Sequence, residues 1–348
     1  LARRKARDVL VVMGGRSGEH DVSLRSGRSV LEGIDRERFT PHPLVVSRDN
    51  ARWIFAHPDQ AALDEGVGLD GAVKRIRKLA PAAAFLAMHG PFGEDGRVQS
   101  LFDLLGVPYV GSDHVASAVA MDKAHAKAVY RAVGIPTPRS LLLDVPRTPE
   151  AAAQAAPELA ERVAAAFPTP WVLKTPRLGS SVGIEIVKAR ADLAGAIARV
   201  GVLDGRLLVE EFVPGREFTA PVLDLADEGG PRALPVIEIV VLEGAFFDYA
   251  VKYDGARNRE VCPAEITAEL SARVQAVGLE AHRALGCRGI SRTDVRVTPG
   301  GALYVLETNT LPGLTDQSLF PKAARAAGIP YPELVTRLLD DAIARGPA

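Results

Sequence analysis

The sequence predicts an α/β protein built from more than one unit: a mostly parallel α/β domain at the N-terminus, then two α+β units. Three observations carry this. Up to residue 112 strand-like and helix-like segments alternate, the pattern of a parallel sheet covered by helices. Beyond 112 a long Ala-rich helical stretch interrupts the alternation, and the remainder reads as strands separated by glycine turns. A chain of 348 residues is also long enough to bury more than one core.

In order, "DVLVVMGG" is a buried strand ending in a glycine turn, "SLRSGRSVLEGI" a helix, and "HPLVVS" and "AAAFLAMHG" strands. "VQSLFDLLG" follows as a helix and "VPYVG" as a strand. Ligands of such sheets bind beyond the carboxyl ends of the strands, so Gly14 to His20 and His89 to Gly96 are expected to share one functional edge. "SDHVASAVAMDKAHAKAVYRAVG" predicts one long helix stopped by Gly134 and Pro136. Next come a strand "SLLLDV", an Ala-rich helix with Thr148 as N-cap and Pro149 in its first turn, and two strands in "PWVLKTPRLGSSVGIEIVKA" joined by a Gly/Ser loop. The helix "DLAGAIARV" and the strand "RLLVEEFV" complete that unit. "EFTAPVLDL", "ALPVIEIVV", a hairpin and two closing helices form the last one, and the polar, poorly periodic stretch 252–264 is the candidate lid.

Composition narrows the function. Hydrophobic and charged fractions of 47% and 24% are those of an ordinary soluble globular chain. A net charge of −1 advertises no broad basic surface for nucleic acid or an anionic membrane. Cys262 and Cys287 are too few for a disulfide framework and fit a reducing compartment. The apolar run after the basic start is too short for a signal-peptide core, and no run reaches the length of a membrane span, so a cytoplasmic protein is expected.

The chemistry concentrates in the hairpin "GISRTDVRVTPGGALYVLETNT", residues 289–310. A turn centred on Pro299-Gly300 or on Gly300-Gly301 pairs residues whose numbers sum to an odd total, and either choice puts Arg292, Asp294, Glu307 and Asn309 on one face. Asp294 and Glu307 are then opposed or diagonal, roughly 5–8 Å apart. At about 5 Å and an effective dielectric of about 20 their repulsion is about 3 kcal/mol, which demands compensation. A divalent cation such as Mg²⁺ meets that demand, because two carboxylates and an amide oxygen are hard ligands that leave positions for water or phosphate. A solvated face with a paired Arg meets it as well.

Four further segments bear on the choice. In "LGSSVG", Gly179 and Gly183 allow close backbone approach and Ser180 and Ser181 offer hydroxyls, equipment for phosphate that is also common in plain hairpin loops. Lys174 in an apolar strand and Lys123 in the long helix flank that loop as candidate phosphate ligands, against the alternative of snorkelling side chains. "VEEFVPGREF" sets Glu210, Glu211 and Glu217 around a strand end, with backbone near Phe212 and Val213 for a base, although exposed strand ends often carry Glu anyway. Lys252 and Tyr253 stand at the mouth of the candidate lid, and Glu19 follows the first glycine turn; a carboxylate for an amine and a hydroxyl network are available there.

Taken in order, the glycine turn with Glu19, "HGPFGEDG", "MDK", "VLKTPRLGSSVG", "EEFVPGREF", "FFDYAVKY", "CPAE", "SRTDV" and "VLETNTLPGLTDQS" resemble the D-alanine:D-alanine ligases of the ATP-grasp superfamily, from about residue 8 to about 343. The resemblance implies an ATP-grasp fold with a substrate-binding α/β domain over 8–112, a central subdomain over 113–213 and a metal-binding C-terminal subdomain over 214–348, with ATP between the last two. It implies ATP-dependent joining of two D-alanines through an acyl phosphate for peptidoglycan precursors. Asp294, Glu307 and Asn309 match the family's ligands for two Mg²⁺ ions, which Mn²⁺ can replace. Lys123 and Lys174 match its phosphate lysines, and the loop with Ser180 and Ser181 its flap. Glu210, Val213 and Glu217 match the adenine and ribose contacts, and Lys252 faces the phosphates. Arg292 and the Gly313 N–H match the oxyanion donors. Glu19 matches the group receiving the first ammonium, directly or through Tyr253 and Ser180; His89 lies near that substrate, and Ser318 anchors the second carboxylate. Tyr253 favours an amino acid as second substrate, since relatives making D-alanyl-D-lactate carry His there. Thr175-Pro176 and Glu211 depart from the usual pattern. The family is commonly homodimeric. The rival readings are a D-alanine:D-lactate or D-alanine:D-serine ligase and a catalytically silent nucleotide-binding regulator.

Overall fold

The computed structural model describes residues 6–55, 65–179, 183–241 and 258–347. Three sheets organise them. The first contains β1 (Arg7–Gly14), β2 (Phe39–Val46), β3 (Trp53–Phe55) and β4 (Ala83–Leu86) in the order β3-β2-β1-β4, with β1 parallel to both β2 and β4. Helices α1 (His20–Gly33), α2 (Leu69–Leu79) and α3 (Arg97–Leu105) connect the strands. Both faces of β1 are buried, as a parallel strand between layers requires. Val9, Val11 and Met13 pack with Val30 and Phe85, whereas Leu10 and Val12 pack with Ile76 and Phe102. Gly14 turns the chain with φ of +89°, and a Cβ there would sit 2.3 Å from the Val46 carbonyl oxygen. Only glycine fits that turn.

The expected strand "VPYVG" is reduced to an isolated parallel bridge between Ala84 and Tyr109. Its pairing ends there because Ala84 alone exchanges bonds with Pro108 and Val110. The expected single long helix is two, α4 (His114–Met121) and α5 (Lys123–Ala132). Asp122 breaks it: its backbone is extended and its carboxylate accepts from the N–H groups of Ala124 and His125, capping α5. That break sets Lys123 at the first turn of its own helix.

The second sheet is antiparallel, β5 (Ser140–Asp144), β8 (Arg206–Glu211), β6 (Trp171–Lys174) and β7 (Glu185–Val187) in that spatial order. Helices α6 (Pro149–Ala166) and α7 (Arg190–Gly201) cover one face around Trp171, Leu173, Leu207 and Val209. Thr148 caps α6 by accepting from the Ala151 N–H.

The third sheet runs β12 (Asn258–Val261), β11 (Ile237–Val241), β9 (Arg216–Asp224), β13 (Gly289–Val297), β14 (Leu303–Asn309), with β10 (Arg232–Ala233) beside β9. Helix α8 (Ala268–Ala284) covers it through Val274, Val277 and Ala281 against Phe218, Ala220 and Val295. Helices α9 (Leu319–Ala326) and α10 (Tyr331–Arg345) return to the first sheet, where Phe320, Leu334 and Leu338 join the core of Val9 and Val11. Of the candidate lid 252–264, residues 258–261 are edge strand β12 instead, and an edge exposed on one side explains their polarity. Residues 252–257 lie outside the described residues.

The hairpin parity holds where it matters and fails near the turn. Arg292 pairs with Asn309 and Asp294 with Glu307, both odd sums, but Val295 pairs with Val305 and Val297 with Leu303, which are even. A bulge between Asp294 and Val295 absorbs one residue. The turn itself is longer than two residues, closed by Thr298 N–H to Ala302 O.

Candidate active site

The hairpin places Asp294 directly opposite Glu307, the arrangement that electrostatics resists, and each carboxylate has a cation, Arg292 from the hairpin itself and Lys123 from α5. Arg292 donates to both Asp294 oxygens, at 3.1 and 2.9 Å. Lys123 brings its Nζ to 3.0 Å from Glu307 Oε2 and donates to the Leu178 carbonyl at 3.1 Å. Burial alone would lower the Arg292 pKa; Asp294, then Glu307 and Glu94, outweigh it and raise it, so its charge is secure. The opposite face of the hairpin is closed by Thr293 and Thr308, whose hydroxyls share a 2.9 Å bond under the Tyr130 hydroxyl. One face is therefore closed by hydroxyl packing and the other carries the charges.

Among the described residues no three carboxylate, imidazole or thiolate groups converge as a ready metal cage. The donor set on the hairpin face is two carboxylates and the Asn309 amide, whose Nδ2 is buried without a hydrogen-bond partner among the described residues. Amide oxygen and nitrogen are interchangeable in assignment, so this amide can offer its oxygen. Two carboxylates and one amide oxygen suit Mg²⁺, which retains water and phosphate ligands. The residues fit the ion.

Behind this face lies a second charged group. Glu210, on β8, is 1% exposed and its carboxylate stands between Lys174 Nζ at 2.7 Å and Lys127 Nζ at 2.8 Å. Burial would raise the Glu210 pKa; Lys127 and Lys174 outweigh it and hold it low. Burial likewise opposes the Lys174 ammonium, and Glu210, followed by Glu307, raises it. Lys127 is fully buried, and there burial wins, pulling its pKa to about 8. Glu217, on β9, faces Arg296 at 3.4 Å, and burial raises its carboxyl pKa. Val213 is buried just beyond β8, where the Phe212 N–H donates to the Pro170 carbonyl. Glu211 points elsewhere, to the Arg139 guanidinium at 2.7 Å.

The third contribution comes from the first sheet. Glu19 precedes α1, and its Oε2 lies where a Cβ on Gly90 would be 2.7 Å away and a Cβ on Gly179 2.9 Å away. The glycine turn and the "HGPFGEDG" segment thus share one edge, as expected, and the start of the Gly/Ser loop meets the same carboxylate. Ser17 ties the edge together by donating to the His89 carbonyl at 2.6 Å. His89 is buried, its Nε2 at 2.8 Å from Ser26 Oγ and its Nδ1 at 3.3 Å from the Leu311 carbonyl. Gly313 and Ser318 are neighbours after β14, a Cβ on Gly313 falling 2.9 Å from Ser318 Oγ. Ser318 Oγ is held by Thr315 at 2.7 Å. Ser180, Ser181, Lys252 and Tyr253 lie outside the described residues.

Sequence reasoning missed Lys127, Thr137 and Glu94. Lys127 stands four residues after Lys123 on α5, the same helix face, which was the available signal. Glu94 accepts from the Gly90 N–H at 2.9 Å, inside the quoted "HGPFGEDG" motif.

A lysine on α5 paired with a carboxylate of the third sheet, beside a Lys–Glu pair on the central antiparallel sheet, is the arrangement of an ATP-grasp enzyme. Family models described as D-ala D-ala ligase N-terminus and D-ala D-ala ligase C-terminus match residues 8–112 and 129–340. The chain belongs to the D-alanine–D-alanine ligase family. It is 40% identical to the D-alanine–D-alanine ligase of Desulforudis audaxviator over 96% of this chain and 97% of that one. Among solved structures, the D-alanine-D-alanine ligase from Coxiella burnetii superposes with a TM-score of 0.79 at 27% identity, covering 98% of this chain and 95% of that one. The VanG D-Ala:D-Ser ligase from Enterococcus faecalis gives 0.83 at 29%, covering 97% and 100%.

Proposed function

We propose that the chain joins two D-alanines at the expense of ATP, yielding D-alanyl-D-alanine, ADP and phosphate. The observation that carries the reading is the convergence of three separate segments: Lys123 at 3.0 Å from Glu307, Lys174 at 2.7 Å from Glu210, and Glu19 packed against Gly90 and Gly179. An ATP γ-phosphoryl group passes to a carboxylate oxygen of the first D-alanine. The amine of the second then attacks the acyl carbon, loses a proton, and the carbon–oxygen bond to phosphate breaks. Phosphoryl transfer asks mainly for positioning and charge neutralisation, which two nearly buried lysines provide.

In this reading Lys123 and Lys174 hold phosphate oxygens, joined by Ser180, Ser181 and Lys252. Glu210 and Val213 meet the adenine and Glu217 the ribose. Asp294, Glu307 and Asn309 would hold Mg²⁺ or Mn²⁺, which when bound neutralises the phosphate charge. Glu19 receives the first ammonium, aided by Tyr253 and near His89, and Ser318 anchors the second carboxylate. Arg292 and the Gly313 N–H stabilise the tetrahedral oxyanion, a role suited to a guanidinium already fixed by Asp294. The units 8–112, 113–213 and 214–348 then serve as substrate domain, central subdomain and metal-bearing subdomain. A homodimer working in the cytoplasm on peptidoglycan precursors completes the proposal; no described helix is long and apolar enough to cross a membrane.

A D-alanine:D-serine ligase is the second reading, favoured by the fold match to VanG. Mass spectrometry of products from ATP, MgCl₂ and D-alanine, alone or with D-serine or D-lactate, separates the two. D-alanyl-D-alanine with equimolar phosphate is expected; a mixed product in preference to it establishes the second reading. Phosphate release at background with every substrate overturns both and leaves a nucleotide-binding regulator.

A further inference from the structure

We propose that Lys127 is a positioning residue of the nucleotide site, whose buried ammonium keeps the Glu210 carboxylate charged and aimed while Lys174 turns from it to phosphate. The inference rests on the nucleotide reading of Lys174 and Glu210. Lys127 cannot itself touch a ligand: it is fully buried, with Nζ 2.8 Å from Glu210 Oε1 and donating to Thr137 Oγ1 at 2.6 Å. Thr137 in turn donates to the Val305 carbonyl at 2.8 Å. The ammonium is thereby fixed to β14, two residues from Glu307.

Glu210 has two cationic partners, and they differ in what they can do. Lys174 and Lys123 retain some exposure, 7% and 8%, at the cleft, whereas Lys127 has none. A phosphate that draws Lys174 away would, without Lys127, strand a buried carboxylate with no counter-charge, an arrangement proteins strongly disfavour. With Lys127 in place Glu210 keeps its charge and one fixed oxygen, and the other oxygen remains an acceptor. The 6-amino group of adenine is a donor to such an oxygen, whereas the 6-oxo group of guanine is an acceptor that a carboxylate repels. Lys127 therefore supports both ATP affinity and the choice of base.

The experiment compares the full-length wild type with Lys127→Met, Thr137→Val, Glu210→Gln and the double variant Lys127→Met/Glu210→Gln, using ATP and GTP with saturating D-alanine. Lys127→Met should raise KM for ATP about tenfold, as loss of a charge-assisted bond does, with kcat within about threefold. Its preference for ATP over GTP in kcat/KM should fall by about tenfold. Thr137→Val keeps the charge but loosens its anchor, and should raise KM for ATP about threefold; it tests the inference even if Lys127→Met does not fold. The double variant should lose nothing beyond Glu210→Gln, because Lys127 acts through Glu210. A lowered melting temperature with KM and base preference unchanged in Lys127→Met, or in Thr137→Val where the former is insoluble, overturns the inference. If Glu210→Gln also leaves KM for ATP and base preference unchanged, the nucleotide reading itself has failed; if Glu210→Gln is impaired and the other variants are normal, only the role of Lys127 falls.

Discussion

Two clusters in this molecule use the same ingredients to opposite ends. In one, Lys127, Glu210 and Lys174 form a buried line of charges between the central sheet and α5. In the other, Arg292, Asp294, Glu307 and Lys123 lie across a hairpin face, with the Asp294 and Glu307 side chains 16% and 27% exposed. The closed cluster has exchanged water for fixed partners, so breaking it costs stability. The open cluster keeps access to solvent, so its ion pairs can be traded for a ligand. Burial, rather than the identity of the charges, sets what breaking each cluster costs; in the proposed reading only Lys174 of the closed one is released to a ligand, while Lys127 keeps Glu210 paired.

The largest expected effect lies in the open cluster. Glu307→Gln should lower turnover by about 10³-fold or more, the order seen when a central electrostatic element is removed, with little change in unfolding free energy. Steady-state phosphate release and urea unfolding of the variant check both halves, and near-normal turnover would contradict the metal assignment. In the closed cluster the balance reverses. Glu210→Ala leaves two buried ammonium groups unpaired and should destabilise the fold by about 3–5 kcal/mol. Urea titration decides, and a loss below about 1 kcal/mol would mean water reaches the cluster.

Acid sharpens the contrast further. The Glu210 pKa is held below its usual value in the folded chain, so the folded state binds fewer protons than the unfolded one there. Its stabilisation is present above the unfolded carboxyl pKa and is lost as pH falls through that value toward the folded one. The difference in unfolding free energy between wild type and Glu210→Gln should therefore shrink as pH is lowered from 6; a constant difference would refute the pairing. The smallest effect belongs to neither cluster. Thr148→Ala removes only the cap of α6 and should cost about 1 kcal/mol with activity retained, measured by the same unfolding curves and assay.

The sequence made some of this readable for physical reasons. Strands such as Arg7–Gly14 and helices such as Pro149–Ala166 announce themselves through local periodicity and caps, and period 2 alone puts Arg292, Asp294, Glu307 and Asn309 on one face. The break at Asp122 was hidden because a capping carboxylate inside an apolar helical pattern looks like one more exposed residue. The Lys127 cluster was hidden for another reason: it joins α5, β6 and β8, and no local rule states which of these segments meet. Glu19 was placed by its glycine turn, yet its neighbour Gly179 belongs to another sheet's loop. Tertiary pairings, not element types, are what the linear pattern lacks.

The irregularity between Asp294 and Val295 has a practical corollary. Because β13 and β14 slip by one residue there, the tip of the ribbon and the end bearing the acidic pair stand in different registers, although β13 keeps a single register with β9 throughout. Length changes at Thr298 to Ala302 fall beyond the slip, and the unbroken pairing with β9 keeps Asp294 beside Thr219 while the distal loop drifts.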